Sequence, residues 1–252
     1  QNRVQFTPDV LPSDITGFSM YVKEKNEFVY QPGAVMCNLL LADEINRTSA
    51  KTQSALLEVM EEGTVTIDGV TRKVPEPFVV IATENPIGSA GTQMLPESQL
   101  DRFLICIQMG YPSPEDEIDI LMSQSERKTL EEIQPVVDAS ILAQMQRETA
   151  QVFIHERVCR YIVDLVNATR SHELVTLGLS TRGALAVAKL AKANAYIEGR
   201  AFVLPKDVEK VFPAAAVHRL KCSTKVTMNK GASMDIIEEI LKSVKQPRPE
   251  KK

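Results

Sequence analysis

Residues 37–47 read "CNLLLADEINR", an apolar run that stops at Asp43-Glu44 and then turns polar. Together with the residues before it, "AVMCNLLLA" (34–42) has the unbroken apolar character of a strand buried on both faces of a parallel sheet. Adjacent acids at the carboxyl end of such a strand lie in the crevice where open α/β sheets bind their ligands. One carboxylate there can help hold Mg²⁺ while its neighbour polarises a water for attack on a γ-phosphate. The same pattern also describes a strand that merely closes in a polar loop, so the surrounding sequence has to decide.

The surroundings alternate between helix and strand, which favours a layered α/β domain. "TSAKTQSALLEVMEE" (48–62) reads as a helix: Thr48 or Ser49 is placed to cap it, Ala55, Leu56, Val59 and Met60 recur at helical spacing, and Gly63 ends it. "TVTIDGVTRKV" (64–74) is two β-prone runs around Asp68-Gly69, the dipeptide suited to a tight hairpin turn. "PFVVIATENP" (77–86) is a second buried strand, and its end would bring Thr83, Glu84 and Asn85 to the same sheet edge as Asp43 and Glu44. "LPESQLDRFL" (95–104) places Asp101-Arg102 at the end of a short helix, ahead of a third strand, "FLICIQM" (103–109). An arginine so placed can reach the phosphates of a neighbouring subunit. Taken singly, the Thr-Glu-Asn-Pro end reads as a turn and Asp-Arg as a surface pair.

After "GYPSPEDE" (110–117) the pattern turns to helices only. Pro114 after Ser113, with three acids in the first turn, is a helix start. Val158, Tyr161, Ile162, Leu165 and Val166 follow helical spacing in "HERVCRYIVDLVNATR", which predicts one buried face. The reading divides the chain into an α/β core over 1–112, a helical domain over 113–245 and a charged tail over 246–252.

A net charge of −4 argues against a protein whose main task is wrapping phosphate backbones, which rests on clustered Lys and Arg. Four scattered cysteines without a CxxC pair fit free thiols in a reducing compartment, so a cytoplasmic location is expected. No apolar stretch approaches the roughly 20 residues of a membrane span, and membrane insertion is not expected. His155, His172 and His218 form no metal-spaced cluster.

In order and separation, "QFTPDVLPSDITG", "GAVMCNLLLADEINR", "KTQSALLEVMEEGTVTIDG", "PFVVIATENP", "LPESQLDRF" and "STRGAL" together resemble a MoxR-family AAA+ ATPase of the helix-2-insert group. The resemblance implies a P-loop NTPase-like parallel sheet followed by a small all-α lid. It implies Asp43 and Glu44 as the Walker B acids, the first associated with Mg²⁺ and the second with the attacking water, and Asn85 as sensor 1. It further implies Arg102 as the arginine finger, Arg182 of "STRGAL" as the sensor 2 arginine of the lid, and Arg47 as a looser candidate for the subunit boundary. "FTPDVLPSDITGFSMYVKEKNEFVYQPG" resembles the helix-2 insertion, with a β-hairpin through "KEKN", and the hairpin at 64–74 resembles the pre-sensor 1 insertion. ATP and Mg²⁺, a homo-oligomeric ring expected to be a hexamer, and a protein substrate such as a von Willebrand factor A domain protein are what the resemblance implies for ligands and partners.

One family part is absent: no GxxxxGK[ST] stretch occurs, and the nearest Gly-Lys neighbourhood, "NKGAS" (229–233), has the reverse order. In the family the P-loop precedes "RVQFTPDVLPSDITG", so the expectation is a P-loop N-terminal to Gln1 and a chain that is inactive without it. A non-catalytic scaffold built on a degenerate AAA+ frame and a DNA-remodelling motor are the rival readings.

Overall fold

Three parallel strands organise the N-terminal half of the computed structural model, which describes residues 1–85, 94–123, 133–223 and 231–247. In chain order this half contains β1 (Asn2–Gln5), α1 (Pro12–Thr16), β2 (Gly17–Val22), β3 (Glu27–Pro32), β4 (Leu39–Asp43), α2 (Ala50–Glu62), β5 (Thr64–Ile67), β6 (Val70–Lys73), β7 (Val79–Ala82) and α3 (Glu97–Leu100). The sheet order is β1-β4-β7, with Gln5 beside Asp43 and Ala42 beside Ala82, so all three carboxyl ends emerge at one edge.

Register decides which side chains are covered. Val4, Leu40, Ala42, Val80 and Ala82 share the face that packs with Phe6, Ile15, Ile45, Leu56 and Val59. Arg3, Leu41 and Ile81 alternate onto the other face, where Ile81 is 52% exposed. The expectation of a strand over 34–42 buried on both faces is therefore corrected on two counts: the strand is Leu39–Asp43, and among the described residues one face alone is fully buried. Residues 34–37 stay out of the ladder because Ala34 and Val35 donate to the carbonyls of Asp14 and Ile15 at the end of α1.

The local signals of α2 behave as the side chains dictate. Ser49 accepts from the Thr52 N–H, and Gly63 closes the helix at φ 64°. Asp68 and Gly69 both take positive φ and turn the β5–β6 hairpin. A second hairpin, β2–β3, turns through residues 23–26. The two hairpins meet where the Arg72 guanidinium lies 4.1 Å over the Tyr30 ring.

The expected third strand, 103–109, is absent. The reason lies in its backbone partners: Cys106 N–H donates to the Ala214 carbonyl, and the carbonyls of Phe103 and Leu104 accept from Arg219. Backbone groups so engaged are not free to enter a ladder.

The C-terminal half contains α4 (Pro114–Ser123), α5 (Ala139–Gln151), α6 (Glu156–Ser171), β8 (Val175–Leu177), α7 (Thr181–Ile197), α8 (Pro205–Ala216), β9 (Lys221–Cys222) and α9 (Ala232–Ser243). All five apolar positions expected on one face of α6 are buried and join Val187, Val208, Phe212 and Ile237 in a separate core. The expectation of helices only is modified by the short antiparallel β8–β9 pair, in which Val175 faces Cys222. No helix among the described residues is long and apolar enough to cross a membrane.

Candidate functional site

Parallel strands with aligned carboxyl ends bring Asp43, Glu44 and Thr83–Asn85 together as the sequence anticipates. Glu44 leaves β4 with φ 54°, a left-handed conformation uncommon for a residue with a β-carbon. Thr83 supports that turn: its Oγ1 accepts from Glu44 N–H at 2.9 Å, its carbonyl accepts from Ile45 N–H at 3.0 Å, and its own N–H donates to the Ala42 carbonyl. The same hydroxyl lies 3.4 Å from Asp43 Oδ1, so one threonine touches both acids. Buried Asn46 adds a further tie by donating from Nδ2 to the Asn85 carbonyl at 3.1 Å.

Both carboxylates carry partners. Arg3 donates from Nε to Asp43 Oδ2 at 2.7 Å, its guanidinium standing on the open face of the sheet. Glu44 Oε2 accepts from Gln5 Nε2 at 2.9 Å and from Arg47 Nη1 at 2.8 Å. Arg47 is therefore part of the acid cluster in this structure. Arg3 and Gln5 carry no motif of their own; the available signal was their alternation in "NRVQF", which puts both on the face that Asp43 shares. Glu84 behaves differently: burial raises its carboxyl pKa, opposed by the Leu95 N–H, and its Oε1 has no partner among the described residues. Burial and the nearby Glu84 together push the Cys106 thiol up.

Arg102 and Arg182 are not brought to these acids. They meet instead at Glu61, near the other end of α2: Arg102 Nη1 lies 3.3 Å from Glu61 Oε2, and Arg182 pairs with Glu61 Oε1. Eleven helical steps lead from Ala50 to Glu61, roughly 17 Å at the α-helical rise. The candidate residues thus form two clusters, one acidic with its attendants and one of paired guanidiniums.

A Mg²⁺–triphosphate fits this arrangement in part. Asp43 at the sheet edge offers the hard oxygen such a cation takes, and the guanidiniums match phosphate oxygens. The glycine-rich backbone cradle is not among these residues, since the sequence holds no GxxxxGK[ST]. Among the described residues no group of three or more His, Cys, Asp and Glu side chains is placed to hold a metal.

Comparison with known proteins bears on what these clusters serve. The profile of the "ATPase family associated with various cellular activities (AAA)" matches residues 1–105, and that of the "AAA lid domain" matches residues 167–240. YeaC of Bacillus subtilis is 46% identical over 245 residues, covering 97% of this chain and 77% of YeaC. Chaperone MoxR1 of Mycobacterium tuberculosis is 40% identical over 256 residues, covering 98% of this chain and 67% of MoxR1. The chain belongs to the MoxR family of AAA+ ATPases. A crystal structure of a protein from Cytophaga hutchinsonii superposes with a TM-score of 0.87 at 36% identity, covering 98% of this chain and 78% of that one. The MoxR-family fold, a parallel α/β core with a helical lid, is thus shared along nearly the whole chain.

Proposed function

We propose that the protein hydrolyses ATP at sites shared between adjacent subunits of a ring, taken as a hexamer, and couples hydrolysis to remodelling or activating a partner protein. The separation of the acids at one end of α2 from the arginines at the other supports this reading most directly. Clusters at opposite ends of α2 are poorly placed to grip one phosphate chain from within a single subunit, whereas a head-to-tail ring would set the acids of one copy against the arginines of the next.

Each residue then has a role. Asp43 would hold Mg²⁺, which when bound would supply neutralising charge at the phosphates. Glu44 accepts a proton from the attacking water, and its left-handed turn, fixed by Thr83, holds the carboxylate at the sheet edge against Gln5 and Arg47. Asn85, at the adjoining strand end, orients the attack. Arg102 and Arg182 act together on the neighbour's nucleotide, replacing the Glu61 carboxylate they share with phosphate oxygens as charge develops.

The partner side of the proposal rests on the hairpins. Phe18 and Met20 on one face of β2–β3 and Tyr21 and Phe28 on the other stand 48–73% exposed, apolar side chains suited to protein contact. MoxR1 is named a chaperone, and the same kind of work is proposed here, with a von Willebrand factor A domain protein as the expected client.

The test is Glu44→Gln in the intact protein. ATP binding is expected to persist while turnover falls by about two orders of magnitude or more, since the amide cannot take a proton. Hydrolysis at the unaltered rate would contradict the assignment.

A further inference from the structure

We propose that Arg219 is a positioning residue that holds Arg102 and Arg182 in register as one cationic unit, a proposal that rests on reading those two arginines as the half-site offered to a neighbouring subunit. Arg219 follows α8 and its side chain is 2% exposed. A guanidinium carries five N–H donors in a fixed fork, and here each has an acceptor. Nε donates to Asp101 Oδ1 at 2.7 Å; Nη1 donates to the carbonyls of Leu104 and Ala215; Nη2 donates to those of Asp101 and Phe103. Four of the five acceptors belong to residues 101–104, the segment that carries Arg102.

The second carboxylate oxygen of Asp101 continues the connection into the lid. Ser180 Oγ donates to Asp101 Oδ2 at 2.8 Å and accepts from Gly183 N–H at 3.1 Å as the N-cap of α7. Arg182 is the second residue of that helix. A continuous set of bonds therefore runs from the backbone of Arg102 through Asp101 and Ser180 to the first turn carrying Arg182, with the buried guanidinium at its centre.

Gly183 makes room for it. A Cβ there would stand 3.1 Å from Arg219 Cδ, tighter than about nine in ten such contacts. A glycine in a helical turn is otherwise unfavourable relative to alanine, so its presence beneath the Arg219 stem has a steric reason. Neighbouring His218 reinforces the clamp from Nε2 to the Phe103 carbonyl at 3.1 Å.

A hydrophobic residue at 219 would join the two halves about as well by burial, because taking a guanidinium out of water is costly even when it is well paired. What the guanidinium adds is direction: five bonds at fixed angles specify where residues 101–104 lie relative to α7. The Lys221–Glu97 pair at the rim contributes docking that does not depend on it.

The experiment measures steady-state ATP hydrolysis, binding of a fluorescent ATP analogue, oligomeric state and thermal melting for the intact protein and for Arg219→Met, Ser180→Gly, Arg102→Ala and the Arg219→Met/Arg102→Ala double variant. Arg219→Met is expected to lower kcat about tenfold or more with KM changed by less than about threefold, because nucleotide is held by other residues. Ser180→Gly removes the bond to Asp101 while costing the helix little, and should lower kcat about threefold. The double variant should lose clearly less than the product of the two single effects, since Arg219 acts through Arg102 and Arg182. Unaltered kcat in a folded Arg219→Met protein, or effects of Arg219→Met and Arg102→Ala that multiply, would overturn the proposal. If Arg219→Met does not fold, unaltered kcat in Ser180→Gly overturns it instead. Unaltered turnover in Arg102→Ala would remove the reading of Arg102 and the proposal with it. A slow Arg102→Ala beside normal Arg219→Met and Ser180→Gly would remove the proposal alone.

Discussion

Glu44 and His218 are both held away from their ordinary states by their immediate surroundings. Glu44 takes φ 54° because the chain must leave β4 and enter the turn at Ile45–Arg47, and Thr83 supplies the hydroxyl and carbonyl that fix the bend. A conformation that disfavours a β-carbon is tolerated where the carboxylate's direction matters. His218 is pushed down to about 4, first by burial and then by the adjacent Arg219. Its Nδ1 is buried without a partner among the described residues, so a proton there would add an unsatisfied charge. The unfolded imidazole titrates near 6.5 and binds the proton that the folded one refuses, so stability rises with pH between about 4 and 6.5 and is lost as pH falls through that window. Thermal melts across that range should show a shallower acid decline for His218→Gln than for the parent; parallel curves would mean that another group titrates.

At the scale of elements, the end of α2 gives a clean quantity. Gly63 has φ 64° and nothing within 4 Å of an added Cβ, so Gly63→Ala bears the left-handed penalty alone, about 1 kcal/mol. For a chain of this size the melting temperature should fall by about 2–4 °C, read by circular dichroism, and an unaltered melt would contradict the capping role. Features of this kind were legible in the sequence because neighbours in the chain cause them: the Ser49 cap, the Asp68-Gly69 turn and the buried stripe of α6 each depend on a few adjacent residues. The strand expected over 103–109 was not legible, since its composition suits a strand while its backbone partners, Ala214 and Arg219, lie more than a hundred residues away. The β8–β9 pair was not legible either, since it joins Val175 to Cys222 across the whole of α7 and α8. Within the site, Asp43, Glu44 and Asn85 could be placed from strand ends alone. Glu61 as the shared partner of Arg102 and Arg182 could not, because nothing in "EVMEEG" separates it from Glu62 or Glu58 until the fold selects it.

Among the described residues, two cores are joined through polar contacts. Phe6, Ile15, Leu40 and Leu56 belong to the first core, and Leu165, Val187, Phe212 and Ile237 to the second. Between them Arg219, Ser180, His218 and Lys221 of the C-terminal half engage residues 97–104 of the N-terminal half. These contacts fix the arginine pair at one end of α2, while the acid cluster lies at the sheet edge, so under the proposed function each subunit would present two unlike halves of a site. A ring is the closed arrangement in which every half finds its complement.

Mixing two inactive variants tests this division most directly. Glu44→Gln lacks the acid but keeps the arginines; Arg102→Ala has the reverse. If sites form between subunits, random co-assembly at equal ratio makes about a quarter of the interfaces fully wild type, and turnover should return to about that fraction. If each subunit completes its own site, no subunit in the mixture holds both residues, and the mixture would stay as inactive as either variant alone.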